Sequence, residues 1–197
     1  MLAVLVVCTG NICRSPMAEG FLLDRSERLL GGAVRVRSAG TLGRPGMPPT
    51  PEAVRAAAER GVDVSALQAS ALDAGVVARS DLILTMTADH RDQVLALVPE
   101  ASPKTFTLKE IVGLLRVLPP PQPGPSQEAL LQRIAVAHRL RGDPRAPEIP
   151  DMDVSDPLGL SEQTYRAVAW EIEGHVDALV EGLFGVTERA ATGEGRV

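Results

Sequence analysis

An unbroken apolar run, a short loop and a helix follow one another at the start of the chain. Residues 2–7 are rich in valine, which predicts a strand buried on both faces. Residues 16–30 are predicted to be helical, with Ser15 as the cap, because a serine followed by proline is a helix start signal. Only residues 8–15 separate the two elements, so the backbone N–H groups of this loop are expected to converge at a helix N-terminus. Such a site binds an oxyanion, most naturally phosphate.

Strand and helix signals then alternate along the chain. The strands are predicted at residues 34–37, 81–86 and 104–106, and the helices at residues 51–60 and 88–98. This alternation predicts an α/β fold with a mostly parallel sheet and helices on both faces. Ligands in such folds bind at the carboxyl ends of the strands, where the loop after residue 7 lies.

The second half of the chain has a different character. Residues 117–125, VLPPPQPGP, are too rich in proline for a helix or an interior strand and predict a stiff connector. Helices are predicted at residues 127–140 and 161–183, on either side of a loop that carries several acidic residues. We expect one domain over residues 1–187, with an insertion at about 117–150 and a flexible tail at 188–197.

Charge and cysteine content exclude several classes of function. The net charge of -5 argues against a nucleic-acid partner, which would require a basic face. The two cysteines, Cys8 and Cys13, share one loop, so no disulfide framework is predicted and a reducing cytosol is favoured. The first apolar run is too short for a membrane span and lacks a basic segment before it. These features predict a cytoplasmic protein without a membrane partner, and they make no prediction about its oligomeric state.

The loop after the first strand has the composition of a nucleophilic phosphate site. A thiol at a helix N-terminus and near a guanidinium is expected to be largely thiolate, which makes Cys8 a nucleophile. The Arg14 side chain carries a planar fork of donors that matches two oxygens of a phosphoryl group. Gly10 and Asn11 tolerate a positive φ, which the loop needs if its N–H groups are to point inward. The Ser15 hydroxyl could donate to the sulfur and favour its charged form.

A thiolate that attacks phosphorus also needs an acid to protonate the leaving oxygen. We choose Asp156, because Pro157 fixes the backbone beside it and Gly159 allows the chain to turn. The sequence does not place this carboxyl near Cys8, and three other acids compete for the role. They are Asp143, Asp151 and Asp153.

Five sequence segments resemble the low-molecular-weight protein tyrosine phosphatase family. They are CTGNICRSPMAEG at residues 8–20, SAGT at 38–41, Gly46-x-Pro48, DLILTM at 81–86 followed by His90, and SDPLG at 155–159. The resemblance covers residues 1–115 and 154–183. It implies a metal-free enzyme without cofactor, with a four-stranded parallel sheet flanked by helices on both faces as a three-layer sandwich.

By this resemblance, Cys8 is the nucleophile, Arg14 holds the phosphate, and Asp156 is the general acid and later the base. Cys13 is implied to be a backup thiol that forms a reversible disulfide with Cys8. The residues expected to bind the substrate phosphate belong to the same loop; they are Thr9, Gly10, Asn11, Ile12, Cys13 and Ser15.

The chain departs from the family pattern at the rim of the site. Leu158 stands where many members have an aromatic residue, and Leu42 and Met47 take the place of an aromatic wall. Ile12 occupies a position at which phosphoarginine-selective relatives resemble one another in having threonine. This favours phosphotyrosine on a protein, or another aryl phosphate, over phosphoarginine. The segment of residues 117–150 is longer than is usual in the family.

Two other functions fit the same loop. An arsenate reductase would use the same thiolate, because arsenate mimics phosphate, although no cysteine follows Cys13 to relay the bond. A non-catalytic phosphate or phosphoprotein-binding module would need no acid. A zinc site is not expected, because the two cysteines and His90, His138 and His175 lack ligand spacing. These histidines are expected at the surface or at helix caps, and Cys13 could instead be a small buried hydrophobic residue.

Overall fold

A four-stranded parallel sheet forms the centre of the protein. The computed structural model describes residues 1–122, 124–144 and 146–186. The strands lie in the order β2-β1-β3-β4, and all three pairings are parallel. Their bounds are β1 Leu2–Cys8, β2 Val34–Gly40, β3 Leu82–Thr85 and β4 Thr105–Thr107. The predicted α/β fold is confirmed.

Helices cover both faces of this sheet. They are α1 Arg14–Leu30, α2 Pro51–Ala58, α3 Ala74–Ala78, α4 Ala88–Leu97, α5 Leu108–Arg116, α6 Gln127–Leu140 and α7 Glu162–Phe184, with a 3-10 helix at Pro99–Lys104. Alternate residues of β1 face opposite layers: Val4 and Val6 join the core formed with α1, α5 and α7, whereas Leu5 and Val7 pack against α3 and α4. No helix in the described ranges is long and apolar enough to cross a membrane.

The strand register brings several chain segments together at one edge of the sheet. Cys8 pairs with Gly40, and Val7 pairs with Thr85. Because all four strands are parallel, the segments that follow β1, β2 and β3 emerge at this same carboxyl edge. The loop between β1 and α1 is therefore next to the segments after Gly40 and after Thr85.

The start of α1 differs from the prediction. The helix begins at Arg14, its N-cap residue is Cys13, and no side chain caps it, so the prediction of Ser15 as the cap was wrong. Ser15 instead lies inside the first turn, where it is fully buried. Its hydroxyl is used in contacts with the preceding loop rather than with the free amides of the helix.

Other helices fit their sequence signals more closely. Thr50 and Thr87 cap α2 and α4 by accepting from the Ala53 and His90 amides, and α6 has the predicted bounds. The short α3 and the amphipathic α5 were not predicted. A capping box between Thr107 and Glu110 starts α5, and this signal was present in the sequence. The expected flexible tail at 188–197 lies outside the described residues.

Candidate active site

Cys8 lies at the carboxyl end of β1 with its sulfur held by two neighbours. The residue is 2% exposed. Its Sγ accepts from the Asn11 amide at 3.3 Å and lies 2.9 Å from the Ser15 Oγ. Because Ser15 Oγ also accepts from the Asn11 side chain, its own hydrogen is left to donate to the sulfur. Both neighbours therefore direct a hydrogen-bond donor at the sulfur.

Asn11 fixes the shape of the loop. Its φ of 56° makes it the single non-glycine residue with a positive φ in the described part of the chain, as the sequence suggested. Gly10 does not have a positive φ, so that part of the expectation was wrong. The Asn11 Nδ2 donates to Ser15 Oγ at 2.8 Å and to Ser38 Oγ at 2.7 Å, and its Oδ1 accepts from the Ser70 amide at 2.7 Å.

The loop turns its carbonyl groups outward. The carbonyls of Cys8, Thr9 and Ile12 accept from the amides of three residues that follow β2, namely Thr41, Leu42 and Thr50, at 2.8 to 2.9 Å. Among residues 1–122, 124–144 and 146–186, no acceptor is found for the amides of Gly10, Ile12 and Cys13. These N–H groups are free to bind an oxyanion at the N-terminus of α1.

The Arg14 guanidinium is 4% exposed and is held at three points. Its Nη1 donates to the Val154 carbonyl at 3.0 Å, and its Nη2 donates to Asp156 Oδ2 at 2.6 Å and to Thr9 Oγ1 at 3.4 Å. Within the described residues, the buried Nε has no partner. A buried donor without an acceptor is costly, so this N–H is suited to an anionic ligand.

Asp156 reaches the loop because its own segment is tied to the sheet. The Val154 amide donates to the Met86 carbonyl just after β3, at 2.7 Å. The turn that follows is closed by a bond from the Leu158 amide to Asp156 Oδ1 at 3.1 Å, with Gly159 at a φ of 78°. The Asp156 side chain is 44% exposed, so it meets both Arg14 and solvent.

The three competing acids are engaged elsewhere. Asp151 pairs with Lys109 at 2.8 Å, and Asp153 accepts from the Ala88 amide at 2.7 Å, where it lies at the start of α4. Asp143 lies in the turn after α6, where its amide bonds the Leu140 carbonyl. Of the four acids, Asp156 is the one that contacts Arg14.

His90 belongs to this site, although we expected the histidines at the surface or at helix caps. It is 3% exposed, with Nε2 at 2.9 Å from Thr9 Oγ1 and Nδ1 at 2.8 Å from Thr87 Oγ1. Burial, together with the charge of Arg14, holds the pKa of His90 below its ordinary value of 6.5. A polar residue shortly after a buried strand was the signal that could have identified it.

Cys13 lies beneath the loop with Tyr165 of α7. The Cys13 Sγ is 3.4 Å from the Tyr165 hydroxyl and 3.7 Å from Thr50 Oγ1. Burial raises the pKa of Cys13, and burial together with its contact with Cys13 raises the pKa of Tyr165 to about 12. Glu19 extends the polar network on the other side, because its carboxylate accepts from Ser38 Oγ at 2.5 Å.

A metal centre was not predicted from the sequence. No group of three His, Cys, Asp or Glu side chains in the described part of the chain could hold a metal ion. The donors at this site are amides, hydroxyls and a guanidinium, which suit an anion rather than a cation.

Comparison with known proteins gives a consistent result. Residues 3–134 match the family model for low molecular weight phosphotyrosine protein phosphatase. The chain is 31% identical over 180 residues to a protein-arginine-phosphatase of Geobacillus stearothermophilus. The aligned region covers 91% of this chain and 95% of the relative. The chain is 43% identical over 104 residues to the low molecular weight protein-tyrosine-phosphatase Etp of Escherichia coli (strain K12), covering 53% and 67% of the two chains.

Solved structures extend the likeness to the whole fold. The low molecular weight protein tyrosine phosphatase from T. tengcongensis superposes with a TM-score of 0.71 at 32% identity, covering 93% of this chain and all of that one. The fold and the matched sequence define an α/β protein phosphatase. The chain belongs to the low molecular weight phosphotyrosine protein phosphatase family, as the sequence motifs implied.

Proposed function

We propose that this phosphatase hydrolyses phosphotyrosine on protein substrates through a phosphocysteine intermediate at Cys8. The observation that carries the proposal is the buried Arg14 Nε, which has no acceptor among the described residues. It belongs to the same loop as a thiol that already receives hydrogen bonds from Asn11 and Ser15. A phosphoryl group above Cys8 would supply acceptors for this N–H and for the free loop amides of Gly10, Ile12 and Cys13.

The first chemical step transfers the phosphoryl group to sulfur. The Cys8 thiolate attacks phosphorus, so that a P–S bond forms while the bond to the leaving oxygen breaks. Asp156 delivers its proton to that oxygen, and Arg14 and the loop amides hold the equatorial oxygens as charge develops on them. The 2.6 Å contact between Arg14 and Asp156 supports this assignment, because one side chain positions the other beside the reacting group.

The second step returns the enzyme to its starting state. Asp156, now a carboxylate, takes a proton from a water molecule that attacks phosphorus, and the P–S bond breaks to release inorganic phosphate. The electron pair returns to Cys8 as a thiolate. The Ser15 hydroxyl, 2.9 Å from this sulfur, stabilises the departing thiolate by its hydrogen bond.

The rim of the site supports an aryl substrate. Leu42 is 74% exposed and its amide bonds the Thr9 carbonyl, so it lies beside the loop. Leu158 is 55% exposed and follows Asp156 by two positions. Apolar side chains suit an uncharged ring, whereas a phosphoarginine side chain would need carboxylate partners. Ile12 in the loop favours the same choice, and the likeness to an arginine phosphatase makes phosphoarginine the alternative to test.

The first test is phosphate release from p-nitrophenyl phosphate under reducing conditions without added metal. We expect the parent and Cys13→Ser to be active and Cys8→Ser to be inactive. The Cys13 variant is the matched control, because it removes the other thiol of the same loop. If the parent is folded but releases no phosphate, and arsenate oxidises its thiols, the proposal is overturned in favour of an arsenate reductase.

Substrate choice requires a second comparison. We expect kcat/KM for a phosphotyrosine peptide to exceed that for the same peptide with phosphoarginine, and Ile12→Thr to shift the ratio toward phosphoarginine. The reverse preference in the parent would contradict the aryl assignment while leaving the phosphatase assignment intact.

We also propose that residues 1–187 form one cytoplasmic domain in which residues 117–150 are an insertion. Leu130, Ile134 and Ala137 of α6 belong to the same core as β1, which supports a single domain. The cytoplasmic location is supported by Cys8 and Cys13, which are both unpaired.

A further inference from the structure

A second basic site lies away from Cys8. A cleft of about 280 Å³ opens between β1, β2 and the end of α3, and three arginines line it: Arg35, Arg37 and Arg79. The remaining lining is small or apolar apart from Ser80. None of these residues belongs to the loop that holds Cys8.

The register of the sheet explains how the arginines meet. Along β2, Val34 and Val36 face the core, so Arg35 and Arg37 project from the opposite face of the strand. That strand is an edge of the sheet, and Arg35 pairs in register with Ala3 at the amino-terminal end of β1. Arg79, just after α3, approaches from the layer that covers this face.

The cleft carries excess positive charge on an acidic protein. Within the described residues, Arg35, Arg37 and Arg79 form no ion pair, although the charge of Arg37 acts on Glu19 without direct contact. The neighbouring acid, Asp81, accepts from the Ala3 amide at 2.9 Å and keeps its negative charge. Lys104, whose Nζ bonds the Ser80 carbonyl at 2.6 Å, interacts with Asp81 and offsets this charge, so the three arginines account for the excess.

The chemistry of the lining selects one kind of ligand. Each guanidinium presents a fork of donors that matches two oxygens of a phosphoryl group, and three forks suit several linked phosphoryl groups. A volume of about 280 Å³ is several times the ~30 Å³ that one water occupies in the liquid, so more than a single phosphate fits. Among the described residues, no aromatic side chain lines the cleft, so no ring is present there to stack on a nucleobase. We propose that this cleft binds an oligophosphate chain, either free or as part of a nucleotide.

This site is separate from the phosphate-binding loop. Along β2, Arg35 and Arg37 lie five and three positions before Gly40, the residue paired with Cys8. At a rise of about 3.3 Å per residue, these two arginines are roughly 16 Å and 10 Å from Gly40 along the strand. The cleft arginines and Arg14 lie on different elements, so the two sites can be tested by separate substitutions.

The test is calorimetric titration of the full chain carrying Arg14→Ala, which weakens phosphate binding at the loop, with inorganic tripolyphosphate, ATP and adenosine. We expect tripolyphosphate to bind to this chain. Adding Arg35→Gln and Arg37→Gln should weaken the affinity for tripolyphosphate by about tenfold or more, because hydrogen bonds to charged groups are lost. Arg79→Gln alone, on a different element, is expected to weaken it by a smaller factor. If ATP and tripolyphosphate bind with equal affinity, the cleft recognises the phosphate chain alone. If ATP binds more tightly, the ligand is an oligophosphate that belongs to a nucleotide.

The matched control is Arg116→Gln with Arg139→Gln, which removes the same charge from exposed helix positions. In the Arg14→Ala chain, this control pair should leave the affinity for tripolyphosphate unchanged. Circular dichroism should show that the control pair and the pair Arg35→Gln with Arg37→Gln are equally folded. Equal weakening in both pairs would show a general charge effect and overturn the site. Three other outcomes would also overturn the site: no binding of tripolyphosphate to the Arg14→Ala chain, binding of adenosine alone, or aggregation of the β2 variants with unchanged affinity. The last outcome would mean that the arginines protect the edge strand from pairing with another chain.

Discussion

Arg14 Nη2 lies 2.6 Å from Asp156 Oδ2, a contact between residues that are 142 positions apart in the chain. Arg14 is buried at the start of α1, whereas Asp156 is partly exposed on the loop before α7. The pair joins the phosphate-binding loop to the candidate acid. Since the Asp156 carboxylate occupies one guanidinium nitrogen, substrate binding at this site would involve both residues.

Removing the carboxyl of Asp156 should slow chemistry more than binding. We expect Asp156→Asn to lower kcat by about 10²–10⁴-fold, the usual contribution of a general acid, with little change in KM. The loss should be greater for phenyl phosphate than for p-nitrophenyl phosphate, whose better leaving group needs less protonation. Steady-state kinetics with both substrates measures this. Asp153→Asn is the control and should remain active; an equal loss there would contradict the assignment of Asp156.

The hydroxyl of Ser15 should matter through the Cys8 sulfur. A hydrogen bond to a charged group contributes about 1.5–3 kcal/mol, so Ser15→Ala is expected to lower kcat by about 10–100-fold. Pre-steady-state phosphate release should show slower formation or breakdown of the intermediate. Ser126→Ala, the same change at the N-cap of α6, should cost about 1 kcal/mol of unfolding free energy and leave kcat unchanged. Unchanged kcat in the Ser15 variant would contradict a role in chemistry.

Protonation of His90 should be linked to folding. Burial keeps its pKa below 6.5 in the folded protein, so the unfolded chain takes up the proton at a higher pH. Its contribution to stability is therefore complete above about pH 6.5 and is lost as pH falls toward the folded pKa, with a slope of at most about 1.4 kcal/mol per pH unit. Between about pH 7 and pH 5, the free energy of unfolding measured in urea should decrease less for His90→Gln than for the parent. An identical decrease in both proteins would exclude this linkage.

Peroxide should inactivate the enzyme reversibly. Peroxide oxidises the Cys8 thiolate to a sulfenic acid, and the Cys13 thiol then displaces water to form a disulfide. Because burial raises the pKa of Cys13, bridging should become faster as pH rises above neutral. The parent should regain activity with a dithiol reductant, whereas in Cys13→Ser excess peroxide oxidises the unprotected Cys8 sulfenic acid further to sulfinic acid, which the dithiol does not reduce. Mass spectrometry that finds two independently overoxidised thiols and no bridge would refute this prediction.

Two glycines in helices should respond in opposite directions to alanine. A Cβ at Gly20 would lie 2.5 Å from Val64 Cγ1 and 3.0 Å from Val62 Cγ1, so Gly20→Ala should destabilise the protein by about 1–3 kcal/mol. A Cβ at Gly174 meets nothing within 4 Å, and Gly174→Ala should stabilise it by about 1 kcal/mol through helix propensity. Thermal unfolding compares the two. Destabilisation by both substitutions would show that helix propensity does not decide the effect at Gly174.

Some of the corrections come from local chemistry that the sequence contained. The capping box of α5 at Thr107 and Glu110 was present but was not interpreted. Ser15 also fits a cap pattern, but its hydroxyl contacts Cys8 and Asn11, and α1 begins at Arg14, two residues before the predicted start. The buried position of His90 depends on packing between segments that the sequence does not show to be neighbours.

The sequence by itself determined the sheet, the main helices and the phosphate-binding loop. Periodicity and capping signals act over a few residues, and Cys8, Asn11 and Arg14 lie within one short segment, so their proximity needs no tertiary information. The tertiary structure decided which acid faces Arg14, and it brought His90 to Thr9 and Tyr165 to Cys13. These pairs are separated by 81 to 152 positions, and only packing of the strands and helices around one core fixes such distances.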